Sequence, residues 1–97
     1  MTTVKTIAVV PTENGWKYLQ QLCKHWSHKL DVELGEKSGI VRFSEAVASL
    51  SADDKVLTVE IEAASVEVLE RMKGVVSSHL DRFAFREAPL PFQWQAA

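Results

Sequence analysis

The sequence has little of what marks a secreted, membrane-spanning or nucleic-acid-binding protein. Its single cysteine, Cys23, cannot form an internal disulfide, which favours a reducing compartment. The longest early apolar run, residues 7–10, is too short for a signal sequence or a membrane span. A formal net charge of -2 argues against a surface for nucleic acid or anionic lipid. We therefore expect a cytoplasmic protein that binds neither nucleic acid nor membrane.

The sequence also lacks the common local signatures of enzymes. It has no glycine-rich phosphate loop, no nucleophile elbow, no Cys-x-x-Cys pair and no His-Glu-x-x-His helix. These absences favour a protein without catalytic residues, and they leave any cofactor unassigned.

Hydrophobic periodicity predicts one domain over residues 1–97, in which two helices alternate with strands. A composition of 46% hydrophobic and 25% charged residues is that of an ordinary globular domain. The predicted strands are 2–10, 30–34, 40–43, 44–52 and 56–62, and the predicted helices are 13–28 and 66–86.

The strands separated by short turns should pair as an antiparallel meander. Strict alternation in 30–34 and 56–62 predicts that one face of the sheet is wet, so both helices should cover the other face. The fold class is then α+β, a two-layer sandwich in the order β-α-β-β-β-β-α. The same order is found in the TATA-binding-protein-like half-domain; a ferredoxin-like arrangement with an extra hairpin is the alternative.

Local signals add detail to this scheme. Thr12 is predicted to cap the first helix and Ser65 the second. Residues 35–39, in which two glycines bracket polar residues, should form a turn. Gly74 lies inside the second helix, where a glycine is unfavourable, so we expect a close packing contact there. The apolar segment 90–94 should dock on the domain.

The spacing of Cys23, His25 and His28 resembles that of metal ligands, and His79 would complete a zinc set. Helical geometry opposes the full set, because Cys23 and His25 would point about 200° apart around the axis. Cys23 also lies on the apolar stripe, which favours a small buried residue. The metal candidates are therefore mainly the histidines.

A second candidate site lies on the last turns of the second helix. Arg82 and Arg86 follow His79 by three and seven residues, so the three side chains should share one flank. Together they could hold a carboxylate or another anion. The alternative is that the arginines pair internally, with partners such as Asp31, Glu33 or Glu87.

Two stretches carry a resemblance to a known family. Residues 22–29 (Leu-Cys-Lys-His-Trp-Ser-His-Lys) and 79–87 (His-Leu-Asp-Arg-Phe-Ala-Phe-Arg-Glu), with Trp94 shortly after, resemble the bacterial domain-of-unknown-function family 2218. The family has no established activity. Some members are joined to or encoded near siderophore-interacting flavin reductases, which implies an association with iron handling. The matching motif residues are Cys23, His25, His28, His79, Arg82 and Arg86.

These observations lead to one preferred hypothesis and two alternatives. The preferred one is a non-catalytic binding or accessory protein for an acidic small molecule or an iron chelate. Its predicted ligand-binding residues are His25, His28, His79, Arg82 and Arg86. The first alternative is a metal-binding protein or metal-dependent enzyme that uses the histidines. The second is a homodimeric scaffold, joined through the sheet edge or through Phe92 and Trp94 of the tail.

Overall fold

The structure is a computed structural model that describes residues 3–97. Within that range it has two helices and six strands. In chain order they are β1 Val4–Pro11, α1 Gly15–Trp26, β2 Asp31–Gly35, β3 Ser38–Arg42, β4 Ala46–Ala52, β5 Val56–Ala63, α2 Val66–Phe83 and β6 Gln95–Ala96. The predicted strand start at residue 2 lies outside the described residues.

All six strands form one antiparallel sheet in the order β2-β3-β4-β5-β1-β6. Strands β2 to β5 form the predicted meander, and β1 pairs along its whole length with β5. The α+β class and the order β-α-β-β-β-β-α are confirmed. The short strand β6 was not predicted; it pairs with Thr6 and Ile7 of β1 at the edge of the sheet.

Both helices cover the same face of the sheet, as the alternation predicts. In β5, Leu57, Val59 and Ile61 are fully buried, whereas Glu60 and Glu62 lie on the opposite face. Helix α1 packs on β2 to β5, α2 packs on β1, β4 and β5, and the two helices contact each other. The core therefore lies between one sheet face and this helix pair.

The predicted helix ends are partly wrong. Helix α1 begins at Gly15, after an N-cap position held by Asn14, and not after Thr12. The Thr12 hydroxyl accepts a hydrogen bond from the Asn14 N–H and donates its own proton to Glu87, so it supports the loop before the helix. Helix α2 ends at Phe83, three residues earlier than predicted, whereas its predicted cap Ser65 does accept a hydrogen bond from the helix.

Of two predictions about glycine, one is confirmed in part and the other, a close contact at Gly74, is wrong. The turn lies within residues 35–39 as predicted but is shorter: it consists of Glu36 and Lys37, while Gly35, Ser38 and Gly39 belong to the strands. Lys37 takes the left-handed conformation, with φ of 57°. Gly74 is exposed, and a Cβ added there would meet nothing within 4 Å, so no close contact explains it.

The segment after α2 docks on the domain as predicted. Leu90 is buried, and its backbone N–H donates to the carboxylate of Asp81 at 2.9 Å. The rings of Phe92 and Trp94 stack with centroids 5.4 Å apart and pack against the core. Neither helix in residues 3–97 has the length and apolar character needed to cross a membrane.

Candidate ligand-binding site

Two of the predicted site residues, His25 and His79, meet where the helices pack together. His25 lies in the last turn of α1 and is exposed, while His79 lies in α2 and is half-buried. Their ring centroids are 5.5 Å apart, with an angle of 47° between the ring planes. The two stretches that the sequence singled out thus converge on one pair of imidazoles.

The ring of His79 is held in place by its own helix. Its Nδ1 lies 2.7 Å from the backbone carbonyl oxygen of Val75, one turn earlier. A carbonyl oxygen can only accept, so Nδ1 must carry the proton. In a neutral ring the lone pair is then on Nε2, and Nε2 forms no hydrogen bond with any residue in 3–97. One nitrogen of His79 is therefore available to a ligand.

Aromatic side chains surround the histidine pair. The Trp26 ring lies 4.9 Å from that of His79, and the Phe83 ring lies 6.0 Å from that of His25. Phe43 packs edge-on against Trp26 at 5.1 Å. Since Trp26 is buried, the pair has an apolar floor, and a ligand would approach from the exposed side of His25.

Arg82 adds a positive charge one helical turn beyond His79. The acidic groups that might have neutralised it bond elsewhere: Asp81 accepts from Leu90, and Asp31 and Glu33 both pair with Arg42. Arg82 is exposed and forms no ion pair with residues 3–97. Its guanidinium is therefore free to meet an anion from solution.

The remaining predicted residues are not brought to the pair. Because α2 ends at Phe83, Arg86 leaves the flank of the helix and its guanidinium lies over the ring of Phe85, 5.8 Å from the centroid. His28 is exposed in the turn after α1. Within residues 3–97, no hydrogen bond, ion pair or ring contact joins either residue to His79.

Cys23 points away from the histidines into the core. It is 1% exposed, and its Sγ lies so close to Gly39 of β3 that a Cβ there would be only 2.6 Å away. Burial raises the pKa of the Cys23 thiol, which disfavours the thiolate that a metal or a nucleophilic reaction needs. Across residues 3–97, no group of three or more His, Cys, Asp or Glu side chains is placed to hold one metal ion.

Sequence reasoning missed a second polar cluster, at the other end of α1. The carboxylate of Glu87 accepts hydrogen bonds from the side chains of Thr12, Asn14 and Tyr18. These bonds, led by that of Tyr18, hold the pKa of Glu87 below its usual range. Burial, and then the Glu87 carboxylate, raises the pKa of Tyr18. The sequence signal was Tyr18 on the buried side of α1, since a buried hydroxyl needs a partner.

This cluster borders an open cleft of about 520 Å³. The lining residues are Pro11, Thr12, Glu13, Asn14, Lys55 and Glu87. The carboxylate of Glu87 forms its hydrogen bonds with side chains of the protein itself. The arrangement therefore fastens the turn after α2 to the loop before α1.

Comparison with known proteins agrees with the resemblance seen in the sequence. The model of the family described as "uncharacterized protein conserved in bacteria" (DUF2218) matches residues 7–95. The NMR structure of PA4090 from Pseudomonas aeruginosa has a TM-score of 0.82 and 32% sequence identity, and the match covers 95% of each chain. No curated protein matches this sequence.

Proposed function

We propose a function from the site itself, because this chain belongs to the family of uncharacterized proteins conserved in bacteria, DUF2218, and that description states no activity. The protein binds a small anionic molecule at the junction of α1 and α2, without catalysing its conversion. His25, His79 and Arg82 supply the principal contacts.

The observation that carries this proposal is the environment of Arg82. Its guanidinium has no acidic partner in residues 3–97, although Asp81 precedes it directly in the chain. An arginine can grip a carboxylate with two parallel hydrogen bonds. The imidazoles of His25 and His79 add donors beside it when protonated, and Trp26 and Phe83 offer apolar surface to the body of the ligand.

The ligand class follows from these groups. One guanidinium, two imidazoles and aromatic rings suit a small carboxylic acid, including an aromatic one. An iron chelate with carboxylate or catecholate groups has the same outer chemistry and fits the iron-handling context implied by the family resemblance. Arg86 and His28, which the sequence placed in the same set, are exposed but lie off the pair, so the proposal rests on His25, His79 and Arg82.

The test is calorimetric titration of the protein with citrate, salicylate and ferric citrate, in buffer that contains EDTA except for the ferric complex. We expect one of the three compounds to bind with a stoichiometry of one molecule per chain. Arg82→Ala should weaken this binding by about tenfold or more, which is the usual contribution of a charge-assisted hydrogen bond to affinity. His79→Ala should weaken it in the same direction.

The matched control is Arg71→Ala, an exposed arginine on the same helix that pairs with Glu45 at 3.2 Å. It removes the same charge away from the junction and should leave the affinity unchanged. Circular dichroism must show that all variants fold. Equal binding by wild type and Arg82→Ala, or loss of the fold in both site variants, would reject the proposal.

A further inference from the structure

We infer that His25 and His79 together bind one divalent transition-metal ion, through Nε2 of His79 and one ring nitrogen of His25. The inference rests on the geometry of the pair. It shares His25 and His79 with the proposed anion site, uses the Nε2 lone pair of His79 as a ligand, and does not depend on Arg82. The ion belongs to the class that prefers imidazole, which includes zinc, nickel and copper.

The separation of the two rings fits a shared ion. Zinc binds an imidazole nitrogen at about 2.0 Å, so an ion in the ring plane lies roughly 3.2 Å from each ring centroid. Two such rings on a tetrahedral ion have centroids about 5.2 Å apart. The observed centroid distance is 5.5 Å, close to that separation, and His25 is exposed, so its side chain can turn toward a shared ion.

His79 already has the support that metal-binding histidines commonly have. A ligating histidine usually donates its second ring nitrogen to a carboxylate or carbonyl, which fixes the tautomer and the ring orientation. Here Nδ1 donates to the Val75 carbonyl at 2.7 Å, and the lone pair is left on Nε2. Since the carbonyl lies in the same helix, this orientation does not depend on a mobile loop.

The residues around the histidine pair determine which further ligands the ion could bind. Trp26 and Phe83 contribute no ligand atom, and Cys23 is turned into the core. Two protein ligands leave at least two positions for water or for oxygen atoms of a small molecule. The site therefore resembles an open metal centre more than a closed structural one.

The test uses metal-free full-length protein titrated with Zn²⁺ by calorimetry and with Cu²⁺ by electron paramagnetic resonance. We expect one ion per chain, a Cu²⁺ spectrum showing nitrogen ligation, and a melting temperature that rises with added Zn²⁺. Removal of either ligand, by His25→Ala or His79→Ala, should weaken Zn²⁺ binding by about tenfold or more.

His28→Ala is the matched control, because His28 is an exposed histidine three residues from His25 that lies off the pair. It should bind Zn²⁺ as the wild type does. The inference is wrong if His28→Ala weakens binding as much as His25→Ala, or if His25→Ala leaves it unchanged. Because His25 is exposed, its substitution should preserve the fold even where that of His79 does not. Binding of citrate in the presence of EDTA remains a separate readout, so either hypothesis can fail alone.

Discussion

The hydroxyl of Tyr18 donates a hydrogen bond to the carboxylate of Glu87, which follows it by 69 positions in the chain. Tyr18 is only 5% exposed, so this bond satisfies a hydroxyl that would otherwise be buried unpaired. Helix α1 has no acidic residue in its own first turn, and Glu87 brings a negative charge to that end of the helix. One distant carboxylate thus both satisfies a core residue and complements the helix dipole.

Replacement of Glu87 by glutamine is expected to destabilise the protein. The amide keeps the shape of the side chain but loses the charge and one of the two acceptor oxygens that serve Thr12, Asn14 and Tyr18. We expect the free energy of unfolding near neutral pH to fall by about 1 kcal/mol, less than is usual for hydrogen bonds to charged groups, because the residue is largely exposed. Urea denaturation followed by tryptophan fluorescence measures it.

The loss of stability caused by Glu87→Gln should be present near neutral pH and should disappear at low pH. The pKa of Glu87 is lowered in the folded protein, so its contribution is present above the ordinary value of 4.5 and is lost as the pH falls through the folded value. The stability gap between wild type and Glu87→Gln should therefore close in acid. Glu13→Gln, which changes an exposed glutamate in the loop before α1, is the control. A gap that persists at low pH would contradict the assignment.

Tyr18 can be titrated on its own, because it is the only tyrosine in the sequence. Its pKa is raised from 10.0, first by burial and then by the Glu87 carboxylate. Since the folded pKa is the higher one, the contribution of Tyr18 to stability is complete below 10.0 and is lost as the pH rises further. Ultraviolet titration should show phenolate forming above 10.0, and at lower pH in Glu87→Gln. Identical titrations of the two proteins would show that the bond does not act on Tyr18.

Two glycine-to-alanine substitutions should have opposite effects. A Cβ at Gly39 would lie 2.6 Å from Cys23 Sγ and 3.2 Å from a methyl carbon of Leu19, so Gly39→Ala should cost about 1–3 kcal/mol through overpacking. A Cβ at Gly74 would meet nothing within 4 Å, so Gly74→Ala should stabilise α2 by roughly 0.5–1 kcal/mol. Urea denaturation of both variants compares them directly.

Substitution of Cys23 provides a control for the clash expected in Gly39→Ala. Cys23→Ala removes the Sγ atom, so the double variant with Gly39→Ala should recover part of the loss as the new methyl occupies the vacated space. If the two losses simply add, the destabilisation of Gly39→Ala does not arise from contact with Cys23.

The thiol of Cys23 should be almost unreactive in the folded protein. It is 1% exposed, and burial raises its pKa, whereas the thiolate is the reactive form. Reaction with dithionitrobenzoate should be slow in buffer and fast in urea. If opening of the fold limits the reaction, Glu87→Gln should accelerate it in buffer. A fast reaction of the native wild type would contradict the burial of this residue.

Most of the fold could be predicted because the buried pattern is periodic. Residues such as Leu57, Val59 and Ile61 alternate cleanly, and the burial of one face specifies the register. Strand β6 has no such pattern, because it consists only of Gln95 and Ala96, which pair with the edge of β1. The end of α2 was predicted too late because residues 84–87 are compatible with a helix. In the structure Glu87 lies in a turn after the helix, and its hydrogen-bond partners there are far away in the sequence.

The candidate site was predictable in part. His25 and His79 lie on helices expected to cover the same face, and the structure brings their rings together. The position of Arg86 depended on a helix continuing past Phe83, which it does not. The role of Glu87 was hidden because its partners Thr12 and Tyr18 are far away in sequence, and no local spacing reveals such contacts.

The place of β1 in the sheet has a consequence for how the protein folds. Strands β2 to β5 can form successive local hairpins, but β1 reaches β5 only by closing a loop that contains α1 and three strands. Pairings of such high contact order slow folding. Until β1 arrives, one whole edge of β5 is open to strands of other chains. Refolding should therefore be slower than the small size suggests, and its yield should fall as protein concentration rises.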